Sequence, residues 1–268
     1  MSTKTVNANK AKEWLNTMKS NSSYLEYIQK SINNTSVING KLISKEDLAY
    51  IKKKIKEANE DSYLPQICIS GNTTYDEIKD AYYESDRQIA VLNFASYYNP
   101  GGGFLKGSIA QEESLCHVSG LYNILSSLPV YERRAQTETT LPEYFDSVIY
   151  SPAVPFTITE ESVSQPYLVD VISVSAPNCN RTPIARYEEY VKALKRRIEA
   201  IFVLPYIHGC TKIILGAWGC GVFKNDPKLI AQYFLEYQQK YGQLYDEIVY
   251  AVPGDTQRNI FNKIIMGE

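Results

Sequence analysis

Residues Ile89–Ser114 read IAVLNFASYYNPGGGFLKGSIAQEES. The first four, Ile89–Leu92, form a short apolar run of the kind that becomes a buried strand. The loop after it holds three consecutive glycines, Gly101, Gly102 and Gly103. Lacking Cβ atoms, they let the backbone come close to a ligand and adopt positive φ. Seven residues further on, Gln111, Glu112 and Glu113 open a helix whose apolar stripe is Leu115, Val118, Leu121, Tyr122 and Leu125. Acids in a first helical turn are explained by the helix dipole alone. The triple glycine before them is not, because an ordinary helix start needs no such loop. Neighbouring helical residues point about 100° apart, so the two carboxylates can hold different jobs.

The same alternation continues on both sides. Ile67–Ile69, Leu168–Val174, Lys212–Leu215 and Glu247–Val252 read as strands. Thr74–Tyr83, Pro227–Lys240 and Thr256–Ile265 read as helices, as does a long segment with Leu194, Ile198, Ile201 and Phe202 on one face, kinked or ended by Pro205. Strands alternating with helices predict an α/β sandwich. Ahead of it, Leu48, Ile51 and Ile55 mark an amphipathic helix with Lys52, Lys53, Lys54 and Lys56 outward, and SINNTSVING (Ser31–Gly40) reads as a polar loop. The expected organisation is an N-terminal helical extension over residues 1–60 and a catalytic domain over 61–268.

A second glycine loop follows the strand Lys212–Leu215: Gly216-Ala217-Trp218-Gly219-Cys220-Gly221-Val222-Phe223. Its spacing matches neither a dinucleotide fingerprint nor a P-loop. Converging backbone N–H groups, with a helix start near Asn225–Pro227, would cradle a diphosphate without any lysine. Phe223 suits stacking on a sugar or base as well as burial under the loop, and Trp218 suits the core. Both loops lie past the ends of strands, where α/β sheets bind ligands.

Composition excludes several classes. The 268 residues carry 28 Lys+Arg against 30 Asp+Glu, net −2, whereas a general nucleic-acid or membrane-surface binder needs a basic excess. Residues 1–60, with eleven lysines and six acids, are +5 and leave −7 for the rest. No apolar run approaches a membrane span and the N-terminus lacks a signal-peptide core, so a cytoplasmic protein is expected. Five scattered cysteines without CxxC spacing and two histidines predict neither disulfide framework nor metal centre.

The spacing GGG, seven residues, QEE resembles the signature of the poly(ADP-ribose) glycohydrolases of the macrodomain superfamily, in their compact bacterial form. NFAS (Asn93–Ser96), VIYSPAVPF (Val148–Phe156), SAPN (Ser175–Asn178) and GAWGCGVFKNDP (Gly216–Pro227) match further pieces in the family's order. The resemblance implies a macrodomain-like three-layer α/β/α sandwich with a mixed sheet. It implies hydrolysis of ribose–ribose O-glycosidic bonds, with chain ends suggested as the point of attack and ADP-ribose as product. Glu113 matches the catalytic general acid/base and Glu112 the acid that positions the terminal ribose. Gln111 and Gly101–Gly103 match the elements that shape the site, and Ser96 stands where some distant relatives carry a ribose-contacting Asn. Gly216, Ala217, Trp218, Gly219, Cys220, Gly221 and Val222 match the diphosphate loop, and Phe223 an aromatic that packs on the ligand. Substrates would be poly(ADP-ribose) or ADP-ribosylated proteins, with no cofactor or metal, no membrane or direct DNA contact, and a monomeric chain. The alternatives are a module that binds ADP-ribose without turnover and a hydrolase of mono-ADP-ribosyl linkages. Cys220, inside the loop, would make binding sensitive to thiol modification.

Overall fold

The structure is a computed structural model that describes residues 2–60, 63–84, 88–135, 146–159, 165–182 and 184–267. Among the described residues seven strands form one mixed sheet: β1 (Ser36–Asn39), β2 (Gln66–Ser70), β3 (Ile89–Phe94), β4 (Ser147–Phe156), β5 (Tyr167–Val174), β6 (Lys212–Gly216) and β7 (Glu247–Ala251). Their order is β1-β4-β5-β3-β6-β7-β2. β5, β3, β6, β7 and β2 run parallel, while β4 is antiparallel to both β5 and β1.

Strand residues alternate between two cores because successive side chains leave a sheet on opposite faces. Leu92, Ile172, Val174, Leu215, Ile248 and Tyr250 face one helical layer. It holds α3 (Lys45–Glu60), α8 (Tyr187–Ile207), α9 (Pro227–Tyr241) and α10 (Asp255–Phe261). Val91, Val169, Val171, Ile214 and Val249 face the other. There lie α1 (Thr3–Lys19), α2 (Ser22–Asn34), α4 (Thr74–Glu84), α5 (Gln111–Cys116), α6 (Leu121–Ser126) and α7 (Val130–Ala135). Burial on both sides is why β3, β6 and β7 read as nearly unbroken apolar runs. The expected three-layer sandwich is present.

Three local readings are corrected. Ser31–Gly40 is not a loop: it completes α2 and then forms β1, an edge strand that pairs Val37 with Ile149. Four residues carry too little pattern to announce a strand, and the partner strand supplies the stability. The helix expected to run through Leu115–Leu125 is two short helices, α5 and α6. Ser119 leaves the helical path between them to bridge Phe156. The last helix ends at Phe261 and continues as a π-turn over Asn262–Met266. Pro205 lies in the last turn of α8, which stops at Ile207 with Gly209 at φ 89°.

The lysine-rich helix is α3. It buries Ile51 against α8 and the core, leaving Lys52, Lys53 and Lys56 in solvent. Those charges are a solvated face. Among the described residues no helix is long and apolar enough to cross a membrane.

Candidate active site

A cavity of about 820 Å³ opens at the carboxyl ends of the parallel strands. The loops after β3, β5, β6 and β7 all reach it, through Ser96, Ala176, Ala217 and Val252. That convergence follows from topology: parallel strands deliver their C-terminal loops to one edge.

The acid pair sits in its wall. Glu112 and Glu113 occupy the first turn of α5 and are only 3% and 7% exposed. Glu112 Oε2 accepts a hydrogen bond from the Ser96 N–H at 2.7 Å, and Oε1 accepts one from the Asn93 side chain at 3.3 Å. Burial pushes the Glu112 carboxyl up to about 8, against the pull of those two donors, and the neighbouring Glu113 adds to the rise. Glu113 Oε1 accepts from the Gly103 N–H at 2.7 Å. Its other oxygen, Oε2, is buried and has no hydrogen-bond partner. A buried oxygen without a partner is costly, and here it belongs to a carboxyl group lining a cavity.

The triple glycine makes this packing possible. Gly102 has φ 61°, and a Cβ there would lie 2.4 Å from Glu113 Oε1 and 3.0 Å from Glu112 Oε2. Gln111 works differently. Its amide N–H groups bond the Leu92 carbonyl at 2.8 Å and the Thr74 hydroxyl at 3.1 Å, and its oxygen accepts from the Phe94 N–H at 2.9 Å. Gln111 thus continues β3's hydrogen bonding and clamps α5, with its acids, to the strand end.

The second loop lines the same cavity with Ala217, Trp218, Gly219, Gly221, Val222 and Phe223. Gly219 has φ 74°, and a Cβ there would meet Asn225 Nδ2 at 2.2 Å and Ala176 at 2.6 Å. Asn225 is buried and held by the Tyr190 hydroxyl at 2.9 Å, so it cannot give way cheaply. Trp218 touches the cavity from the core: it is fully buried and its indole N–H bonds the Val174 carbonyl at 2.9 Å. It anchors the loop to β5.

Gly101, Gly216 and Cys220 do not line the cavity. Gly101 packs against Tyr122 and Cys116, and Gly216 against the Ala251 carbonyl. The Cys220 thiol is buried near the Trp218 carbonyl, and burial raises it to about 12, which removes the thiolate that alkylation needs. The expected sensitivity to thiol modification is corrected accordingly. The helix start after the loop is corrected too. The Asp226 carboxylate caps α9 by accepting from the Lys228 N–H at 2.9 Å, and Pro227 supplies no N–H. The α9 N-terminus is therefore occupied by its own cap. Ser96 contributes its N–H to Glu112, and its hydroxyl accepts from the Asn99 N–H at 3.2 Å.

Several residues of the site were not singled out from sequence: Thr74, Ala176, Pro253 and Gln257 in the wall, and Asn93 behind Glu112. For Asn93 a signal existed. A polar residue inside the run IAVLNF must find partners once buried, and it finds Glu112 and Ser173. Pro253 and Gln257 follow β7 and gave no local sign. Among the described residues, no cluster of three or more His, Cys, Asp or Glu forms a metal site.

Two buried carboxyls and a glycine loop lining one cavity suit a glycosidase whose sugar carries a diphosphate. The microbial-type PARG catalytic domain model matches residues 2–158, more than half the chain, and the chain belongs to that family of glycohydrolases. Solved structures extend the likeness to the second loop. Poly(ADP-ribose) glycohydrolase from Thermomonospora curvata, bound to the inhibitor ADP-HPD, is 26% identical with a TM-score of 0.79, covering 96% of this chain and 98% of its own. The enzyme from Deinococcus radiodurans in complex with ADP-ribose is 27% identical with a TM-score of 0.70, covering 90% and 97%. No curated protein sequence matches the chain.

Proposed function

We propose that this chain hydrolyses the ribose–ribose O-glycosidic bonds of poly(ADP-ribose), releasing ADP-ribose, with Glu113 as general acid and then general base. The observation that carries the assignment of roles is the partnerless Glu113 Oε2 in the cavity wall, beside a Glu112 already satisfied by Ser96 and Asn93. The leaving ribose oxygen takes the proton from Glu113 as the bond to the anomeric carbon breaks. Positive charge develops on the sugar ring. A water then adds to that carbon and returns its proton to Glu113, so the net change is addition of one water. Glu112, fixed by its two donors, holds the terminal ribose. The Gly219–Phe223 backbone binds the diphosphate, and that remote binding energy keeps the reacting ribose in place. A cytoplasmic, monomeric enzyme acting from chain ends on polymer attached to proteins is consistent with this scheme.

Incubating the purified protein with poly(ADP-ribose) and quantifying products by chromatography and mass spectrometry tests it. ADP-ribose accumulates if the proposal holds. Binding of ADP-ribose with no turnover of polymer would make the chain a reader. Release only from mono-ADP-ribosylated protein would move the activity to that linkage.

Gly219→Ala tests the cradle. The left-handed backbone and the contact with Asn225 force the loop to shift, with strain of about 1–3 kcal/mol. ADP-ribose affinity by calorimetry falls roughly 10–100-fold. An unchanged affinity would remove this loop from the binding site.

A further inference from the structure

A second recess, of about 550 Å³, adjoins the catalytic cavity. Tyr75, His117 and Val118 line both. The shared wall lies on the acid side: His117 follows Glu113 by one helical turn, and its N–H bonds the Glu113 carbonyl at 3.1 Å. No residue of the diphosphate loop lines the recess. A polymer whose terminal ADP-ribose fills the main cavity can continue on this side, clear of the second glycine loop.

The walls suit a nucleoside. Trp14 of α1 is half-buried, with its indole N–H on the Ser119 carbonyl at 3.1 Å and its ring edge-on to Tyr24 at 5.9 Å. Tyr75 is fixed opposite by its hydroxyl on the Thr157 carbonyl at 2.8 Å. Two aromatic rings held by their polar ends form a platform on which a base can stack. His117, packed against Phe104 at 4.7 Å, has no hydrogen-bond partner for its imidazole among the described residues. Burial, and then the charge of Lys10, hold that imidazole below its ordinary value, which leaves it a neutral donor and acceptor for a hydroxyl.

Charge agrees with the same occupant. Lys4, Lys10 and Lys12 precede the first acid of α1, Glu13. Lys79 lies 5.1 Å from the Tyr75 ring centroid, with its charge paired to Asp76 at 2.9 Å, so among the described residues the free charges here are those of α1. The seat of α1 is part of the site's own loop: Gly107, after the triple glycine, touches the Lys4 carbonyl so closely that a Cβ would lie 1.9 Å from it. The basic N-terminal segment, which the catalytic scheme leaves without a role, therefore borders both the glycine loop and the recess.

We infer that the recess between Trp14, Tyr75 and His117 binds the adenosine of the next ADP-ribosyl unit, the one across the scissile bond, with the α1 lysines facing its diphosphate. The inference rests on the proposed polymer hydrolysis. It names the partner of the leaving oxygen: the adenosine ribose joins the terminal ribose directly, so its base lies one sugar away from Glu113.

Steady-state kinetics on two substrates test it. One is poly(ADP-ribose); the other is the p-nitrophenyl O-glycoside of ADP-ribose, which has the same cleaved bond class and no second adenosine. Trp14→Ala raises KM for polymer roughly tenfold with kcat little changed, as expected for a lost stacking platform. It leaves kcat/KM on the aryl glycoside within about twofold of wild type. Lys10→Glu, a surface exchange that leaves the packing of α1 intact, raises polymer KM roughly threefold or more and weakens its salt dependence. Equal losses on both substrates would make Trp14 a support of the fold and overturn the inference. Unchanged polymer kinetics in Lys10→Glu, whether or not Trp14→Ala folds, would overturn the charge argument and the subsite with it. Failure of the underlying reading looks different: the wild-type protein itself then cleaves no polymer.

Discussion

The Glu113→Gln protein binds ADP-ribose about as tightly as wild type and releases ADP-ribose from polymer roughly 10²–10⁴ times more slowly. Glutamine preserves the shape of the side chain. Its carbonyl oxygen can keep the 2.7 Å bond from the Gly103 N–H, so the glycine loop stays in place. The amide NH2 then takes the position of Oε2, the atom that has no partner. An amide nitrogen there can neither release a proton to the leaving oxygen nor take one from water. The chemical step is lost while the cradle at Gly219–Phe223 is untouched. Calorimetry with ADP-ribose and a product assay on the same preparation check both halves. Loss of binding together with turnover would show that Glu113 chiefly holds the Gly102–Gly103 loop. Retained turnover would transfer the acid's role to Glu112.

The second large effect is on stability against pH. Glu112 keeps its proton in the folded protein up to about 8, while in the unfolded chain it ionises near the ordinary value of 4.5. Between those values the folded state binds more protons than the unfolded state. Stability contributed by this group is therefore complete below about 4.5 and falls as pH rises, by about 1.4 kcal/mol per pH unit, levelling off above about 8. Over the whole window the loss amounts to a few kcal/mol, a large share of the roughly 5–15 kcal/mol that holds a domain folded. Glu112→Gln removes the titration. Its amide also faces one of the two donors, Ser96 N–H or the Asn93 amide, which lowers stability by an amount independent of pH. The diagnostic is hence the slope. Urea unfolding from pH 5 to 8 shows the wild-type protein losing stability relative to the variant across that range. Parallel curves would mean that Glu112 is ionised throughout, held by its donors, and that burial does not dominate.

In the proposed scheme a neutral Glu112 also serves the chemistry. When Glu113 gives up its proton it becomes a carboxylate beside Glu112. A second negative charge there would oppose that step in a poorly screened pocket. The same burial that lowers stability at neutral pH thus keeps the pair in a workable state, a common feature of active sites.

Some of this was legible in the residues alone. The apolar runs Ile89–Leu92, Leu168–Val174 and Lys212–Leu215 marked strands because burial on both faces demands uninterrupted β-branched and apolar side chains. Each lies within an observed strand. The spacing of Gly101–Gly103 from Gln111–Glu113 marked the glycine loop that packs on the buried acid pair, since glycines in series and paired acids are local features. VIYSPAVPF marked a family but not a strand. Prolines at 152 and 155 argue against pairing on both sides. β4 nevertheless lies between β1 and β5 because its register shifts between Ser151 and Val154, where Ala153 takes φ 52°.

By itself, then, the sequence determined the layered class of fold, the strands buried on both faces, and the inventory of acids and glycines for the chemistry. Those properties are written in local periodicity and residue type. Only the tertiary structure decided that Asn93, nineteen positions away, steadies Glu112; that Asp226 caps the α9 N-terminus; that Cys220 turns into the core; and that Trp14 lines a recess adjoining the cavity. Each of these depends on which distant residues exclude water from a given atom. Desolvation and long-range hydrogen bonding belong to the packed assembly and leave no periodic trace along the chain.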